Sequence, residues 1–135
     1  MKDRKDLSFL FLRLAIGIVF LYFGYQQAVS PSAWASYIPN FLTGTVITAN
    51  NLVIFNSIME LSLAIFLILG LYTRFASIVL SVHLIFIALS MGVSPVGVRD
   101  FGLAFATFAI FLNGPDRYTA DKKAEMHEGK VFSEK

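Results

Sequence analysis

Four stretches of this chain are apolar for long enough to cross a bilayer, and that feature limits its fold more than any other. A hydrocarbon core about 30 Å thick requires about 20 mostly apolar residues in a helix. The stretches fall at about residues 7–29, 52–72, 75–93 and 95–113. In the last of them the apolar run covers only Phe101 to Leu112, but its start signal lies earlier. Ser94-Pro95 pairs an N-cap residue with proline at the first helical position, and Gly114-Pro115 marks the stop. Backbone polar groups in lipid must be satisfied within the segment, which makes each stretch a helix. The expectation is an all-α integral membrane four-helix bundle over residues 1–115. A charged tail over 116–135 follows, read as a mobile end because it is polar throughout.

Composition supports lipid as the solvent. Of 135 residues, 56% are hydrophobic and 15% charged, against roughly 45–50% and 25% in soluble domains. A soluble domain of this size has too much surface to hide so much apolar area. The chain has no cysteine, which excludes a disulfide scaffold, a thiol relay and Cys-ligated metal within it. A net charge of +2 gives no reason to expect nucleic acid as a partner. There is no Gly-rich phosphate loop and no HExxH, and only His83 lies in a membrane segment, so no metal or bis-His haem is expected. His127 falls in the polar tail and reads as solvated. A secretory signal for the first segment is disfavoured by its length and by Arg13 within it.

Lys and Arg near the helix ends set orientation. Lys2, Arg4 and Lys5 precede the first helix; residues 30–51 carry no Lys or Arg; Arg74 stands at the second-to-third turn and Arg99 beyond the third helix. Arg117, Lys122, Lys123, Lys130 and Lys135 lie in the tail. This alternation places both termini on the cytoplasmic side of a prokaryotic-type inner membrane, with the first loop and Arg99 outside. In that loop Trp34, Tyr37, Ile38, Phe41 and Leu42 recur at helical spacing after Ser30-Pro31, with Pro39 as a break. A short interfacial helix, with Trp34 and Tyr37 as aromatic anchors, is favoured over a lid on an outer cavity.

Polar residues inside the spans carry the functional information, because a charge at mid-membrane costs on the order of 3 kcal/mol. Glu60 lies near the middle of the second helix; Asn56, Ser57 and Ala64 share its face and must turn inward. His83 lies at similar depth in the third helix, so a Glu60–His83 hydrogen bond is possible by depth. Arg13 lies two turns into the first helix, on a face with Asp6, Leu10, Gly17, Gly24 and Gln27. It reads as an internal ion pair, a substrate anchor, or a side chain snorkelling to headgroups. Arg99 and Asp100 stand in the outer turns of the fourth helix. Gly102, Ala106, Ser77, Ser81, Ala88 and Gly92 read as small residues for close helix packing. Together these depths describe a polar pocket opening outward and ending near Glu60, or else a closed network that only holds the helices together.

Three groups of residues carry a resemblance. They are Leu12-Arg13-Leu14 with Gly17 and Gly24; Glu60 ahead of Gly70-Leu71-Tyr72-Thr73-Arg74 and Ala76; and Arg99-Asp100 ahead of Gly114-Pro115-Asp116-Arg117-Tyr118-Thr119-Ala120-Asp121. In order and spacing, over about residues 7–121, the chain resembles the DoxX/DoxD-like family of small four-helix membrane proteins. Thr119 stands where the family usually has Ser. The resemblance implies a membrane subunit linked to quinone redox chemistry, of the thiosulfate:quinone oxidoreductase type. It marks Arg13, Glu60, Arg99 and Asp100 as functional positions. A complete enzyme of that type would need a second, extracytoplasmic partner.

The expected function is therefore a subunit of a membrane redox complex, with quinone as the candidate cofactor. Glu60 and His83 are the candidate catalytic residues, and Arg13, Asn56, Arg99 and Asp100 the candidate substrate-binding residues. A buried carboxylate beside a bound redox group is suited to proton exchange. The alternatives are an accessory subunit whose polar cluster serves assembly, and a carrier of small solutes. The expected partners are the lipid bilayer and either copies of this chain or a larger membrane complex.

Overall fold

In the computed structural model the backbone is described over residues 2–44 and 46–133, and side chains over residues 3–44 and 46–126. Expectations about Lys2, His127, Lys130 and Lys135 lie outside the described residues. The elements are α1 (Lys2–Val29), α2 (Pro31–Trp34), two 3-10 turns (Ala35–Tyr37 and Asn40–Leu42), α3 (Ala49–Leu69), α4 (Thr73–Met91), α5 (Pro95–Asn113) and α6 (Ala120–Ser133). No strand occurs among the described residues. Four helices among them, α1, α3, α4 and α5, are long and apolar enough to cross a membrane.

Local chemistry sets the helix ends. Thr48 caps α3 by accepting from the Asn51 amide at 3.2 Å. The helix closes on Gly70, whose φ of 70° suits a residue without Cβ. Leu71 N–H then reaches back to the Phe66 carbonyl at 2.9 Å, the hydrogen bond of a Schellman stop. Ser94 caps α5 by accepting from the Gly97 amide at 3.0 Å, with Pro95 next in line. Gly114, at φ 72°, ends it.

The bundle is built from two close helix pairs, α1 with α3 and α4 with α5; contact between the pairs is sparse. Gly17 and Gly24, two turns apart on α1, allow the first pair to close. A Cβ at Gly17 would lie 2.5 Å from Ile68 Cγ1, and one at Gly24 2.9 Å from Leu61 Cγ. Ser57 Oγ also donates to the Gly24 carbonyl at 2.8 Å. In the second pair Ser81 Oγ donates to the Ala104 carbonyl at 2.9 Å. The small-residue reading holds for Ser77, Ser81 and Ala88, which are buried. It fails for Gly102 and Gly92, where a Cβ would meet nothing within 4 Å. Gly92 instead ends α4 with a positive φ.

A shared core of Ile16, Phe20, Leu63, Leu67, Leu80, Leu84 and Ile110 joins the pairs. Around the bundle, Phe11, Ile18, Ile58, Leu89, Phe105 and Leu112 point outward. An apolar belt on all four long helices is the surface that lipid covers. One face of the bundle carries residues 30–44 and 46–48 and is termed the loop side. The other carries the α3–α4 turn and the start of α6, and is termed the terminal side.

The tail differs from its expectation as a loose end. Asp116 and Thr119 are buried. The Asp121 carboxylate accepts from the Tyr72 and Thr73 amides, each at 2.8 Å, and from the Thr73 hydroxyl at 2.9 Å. Asp121 thereby caps α4 from a distant segment, where the anion also suits the positive end of the helix dipole. These bonds hold Tyr72 at φ 47°, a backbone region costly for a non-glycine residue. Asp121 N–H returns a hydrogen bond to the Gly70 carbonyl at 3.0 Å.

Candidate functional site

Arg13 shows how the terminal side is closed. Its Nη1 donates to the carbonyls of Leu67 and Ile68, both at 2.6 Å, at the end of α3. Its Nε donates to Asp116 Oδ2 at 3.0 Å. Both side chains are 2% exposed. The guanidinium thus satisfies carbonyls that a helix C-terminus leaves unpaired, where positive charge is also favoured. Gly114 lies against the Arg74 guanidinium, and Gly70 against Thr119. Arg13, expected among the substrate-binding residues, therefore belongs to a sealed plug and does not line the cavity. The snorkelling alternative fails for the same reason: the side chain turns inward.

The loop-side half is different. A cavity of about 360 Å³ lies between the two helix pairs. Val19, Phe20 and Phe23 of α1, Leu52, Phe55 and Met59 of α3, Leu84, Phe86 and Ile87 of α4, and Leu103 of α5 supply its apolar wall. Trp34, Tyr37, Ile38, Pro39 and Leu42 close over its mouth. Trp34 stands edge-on to Phe23 at 5.9 Å between ring centroids. These loop residues line the cavity, as the lid reading requires, while Tyr37 also stays 46% exposed, as an aromatic anchor requires. Pro39 does break the helical pattern, with 3-10 turns on either side of it.

Glu60 lies at the cavity floor and is buried. Its Oε2 accepts from Gln27 Nε2 at 2.9 Å, and its Oε1 from Asn56 Nδ2 at 3.0 Å. His83 Nε2 stands 3.2 Å from the same Oε1. Asn56 Nδ2 also donates to Gln27 Oε1 at 2.7 Å, closing the ring of contacts. The carboxyl oxygens act as acceptors toward both amides, and the Nε2–H tautomer of His83 adds a further donor. Among the described residues no buried side-chain nitrogen or oxygen lacks a partner.

Arg99 and Asp100 line the cavity from α5. The Arg99 Nε and Nη2 both lie 2.8 Å from Asp100 Oδ1. Arg99 is 43% exposed and Asp100 6%. The Arg99 guanidinium also sits 4.7 Å from the centre of the Phe23 ring, a cation–π contact between α5 and α1.

The structure thus brings Glu60, His83 and Asn56 together, sets Arg99 and Asp100 on the same cavity, and leaves Arg13 at the other end. Gln27, Asp116 and Asp121 were not among the candidates. Gln27 had a visible signal, since it shares the α1 face of Gly17 and Gly24 that packs on α3. Asp116 and Asp121 had only their place in the motif after Gly114. Among the described residues no group of three or more His, Asp and Glu side chains gathers as a metal site would require.

A family model for DoxX matches residues 8–93. That is more than half of the chain, and the chain belongs to the DoxX family. No curated protein and no solved structure matches it.

Proposed function

From DoxX membership and this geometry, we propose that the loop-side cavity receives the headgroup of a small lipid-soluble redox carrier of the quinone class. The chain then serves as a membrane subunit of a redox complex. The observation that carries this reading is the Glu60–His83 pair, 3.2 Å apart, on the floor of a largely apolar cavity. The residues fit such a guest. Aromatic and aliphatic walls accept a flat ring, and Asn56 and His83 can each turn a donor from Glu60 or Gln27 to its oxygens. A bound quinone supplies the electron-accepting chemistry, taking two electrons and two protons on full reduction. Electrons come from a redox-active partner subunit outside this chain.

The chain's own residues position and protonate. Gln27 and Asn56 fix the Glu60 carboxyl so that it cannot rotate freely. His83, touching Glu60 through Nε2, passes a proton to or from it. Arg99 stands by the mouth, where its charge draws anionic groups, while Asp100 limits that charge. We place both termini on the cytoplasmic side of an inner membrane, so that the cavity opens outward. The absence of Lys and Arg from residues 30–51 supports this.

A direct test is mass spectrometry of small molecules released from protein purified with its native lipids. Quinone enriched over the lipid background in the wild type, and depleted in an equally well folded Glu60→Gln variant, is the expected result. Equal quinone content in both removes Glu60 from the site. A second reading has its own support, since the closed ring around Glu60 also suits a purely structural network. In that case Glu60→Gln lowers bundle stability or co-purification of partners and leaves turnover per assembled complex unchanged.

A further inference from the structure

The cavity has three boundaries through which a guest could pass, and they are not equally closed. On the loop side the Trp34 cover lies across the mouth. Between α1 and α5 the Arg99 guanidinium rests on Phe23 at 4.7 Å and ties the two helices. Between α3 and α4 the only polar tie among the described residues is the Glu60–His83 contact at the cavity floor. Above it, toward the loop side, the wall is made by Phe55 of α3 and Phe86 of α4. Both line the cavity, and they are 68% and 48% exposed. His83 also faces both ways: it lines the cavity and a shallow apolar groove on the outside of α4.

We propose that the cavity is reached sideways from the hydrocarbon layer, through the seam between α3 and α4, with Phe55 and Phe86 as its two gateposts and His83 as its sill. This rests on the quinone reading and narrows it to a guest of one kind. Phe55 is six residues from the start of α3 and Phe86 five from the end of α4. At about 1.5 Å per residue the gap therefore lies about 8–9 Å below the loop-side helix ends, at the depth of acyl chains. A neutral amphiphile can pass there with its polar head directed at Glu60 and its apolar tail left across the seam in lipid. A water-soluble ion cannot, because the route is apolar. Among the described residues α3 and α4 are joined by the Glu60–His83 contact below the two rings and, at the terminal side, by Gly70–Thr73 and its Asp121 clamp, with no polar tie above the rings.

The chain has no cysteine and a single tryptophan, Trp34, on the cavity. Both facts favour a kinetic test on the full-length protein in nanodiscs. Phe86→Cys, and separately Phe55→Cys, is labelled with a bulky maleimide to obstruct the seam. Leu42→Cys is labelled to obstruct the mouth. Binding is followed by quenching of Trp34 fluorescence, with a long-tailed benzoquinone delivered in lipid and a tailless, water-soluble benzoquinone. The seam adducts are expected to slow association of the long-tailed quinone about tenfold or more, while the Leu42 adduct leaves it unchanged. Slowing by the Leu42 adduct alone overturns the lateral route and leaves the quinone reading intact. No saturable quenching of unlabelled protein by either quinone overturns the quinone reading, and the route with it.

Discussion

Two arginine–aspartate pairs stand at opposite ends of this bundle and have opposite characters. Arg13 and Asp116 are distant in sequence, 2% exposed on both sides, and surrounded by further acceptors at the end of α3. Arg99 and Asp100 are sequence neighbours, and the arginine is 43% exposed at the rim of a cavity. The first pair stitches three segments together: α1, the end of α3, and through Asp116 the turn that leads into α6. The second leaves its cation facing a space that no protein group fills. One end of the molecule is thus a plug in which charge serves closure, and the other a vessel in which charge is on offer. Much of the pattern on which the resemblance rests, from Arg13 through Gly70–Arg74 to Gly114–Asp121, belongs to the plug.

The contrast can be broken first at the plug. Asp116→Ala leaves the Arg13 guanidinium buried without its counter-ion, and a loss of about 3–5 kcal/mol is expected for a broken buried pair. Thermal unfolding in detergent should show it as a sharply lowered midpoint or as failure to recover monodisperse protein. Wild-type stability in this variant would mean the terminal side is not sealed as described. Next comes Gly70→Ala. Its φ of 70° and a new Cβ 2.6 Å from Thr119 Cα call for a cost of about 1–3 kcal/mol, read in the same melt. At the cavity, Glu60→Gln should cost only about 1 kcal/mol. The new amide leaves one of the three contacts without a matched donor and acceptor, but the packing is unchanged. A Glu60→Gln loss as large as that of Asp116→Ala would erase the distinction between the two ends and favour the purely structural network. Smallest is Arg99→Met. It removes a half-exposed cation–π contact of about 0.5–1 kcal/mol, and the melt should scarcely move.

How far these features were legible in the residues depends on their range. Membrane spans and caps are local, so Ser94-Pro95, Gly114-Pro115 and the apolar runs were readable directly. Depth along a helix is also readable, which is why Glu60 and His83 could be set at one level and Asn56 and Ser57 on an inward face. Rotation is not, because apolar helices in lipid have weakly one-sided patterns and both faces are hydrophobic. Hence the partner of Arg13 was missed: Asp116 lies in a stretch whose polarity resembles a free tail. Gln27 shares the face of Gly17 and Gly24 in the sequence, but its contact with Glu60 follows only from the closing of α1 on α3. Trp34 shows a related limit. An aromatic residue at a membrane boundary has the same composition signal whether it faces lipid or covers a cavity.

The central claim is that the loop-side vessel, and Glu60 at its floor, binds a quinone headgroup. The chain's single tryptophan, Trp34, lies on that cavity and reports on it most directly. Equilibrium titration of Trp34 fluorescence with a benzoquinone, in wild type and in folded Glu60→Gln, is the decisive measurement. Saturable quenching in the wild type, weakened about tenfold or more in Glu60→Gln because the carboxylate no longer fixes the donors of Asn56 and His83 beside the ring oxygens, is the expected result. Identical titrations in the two proteins, or linear quenching without saturation in both, would contradict it.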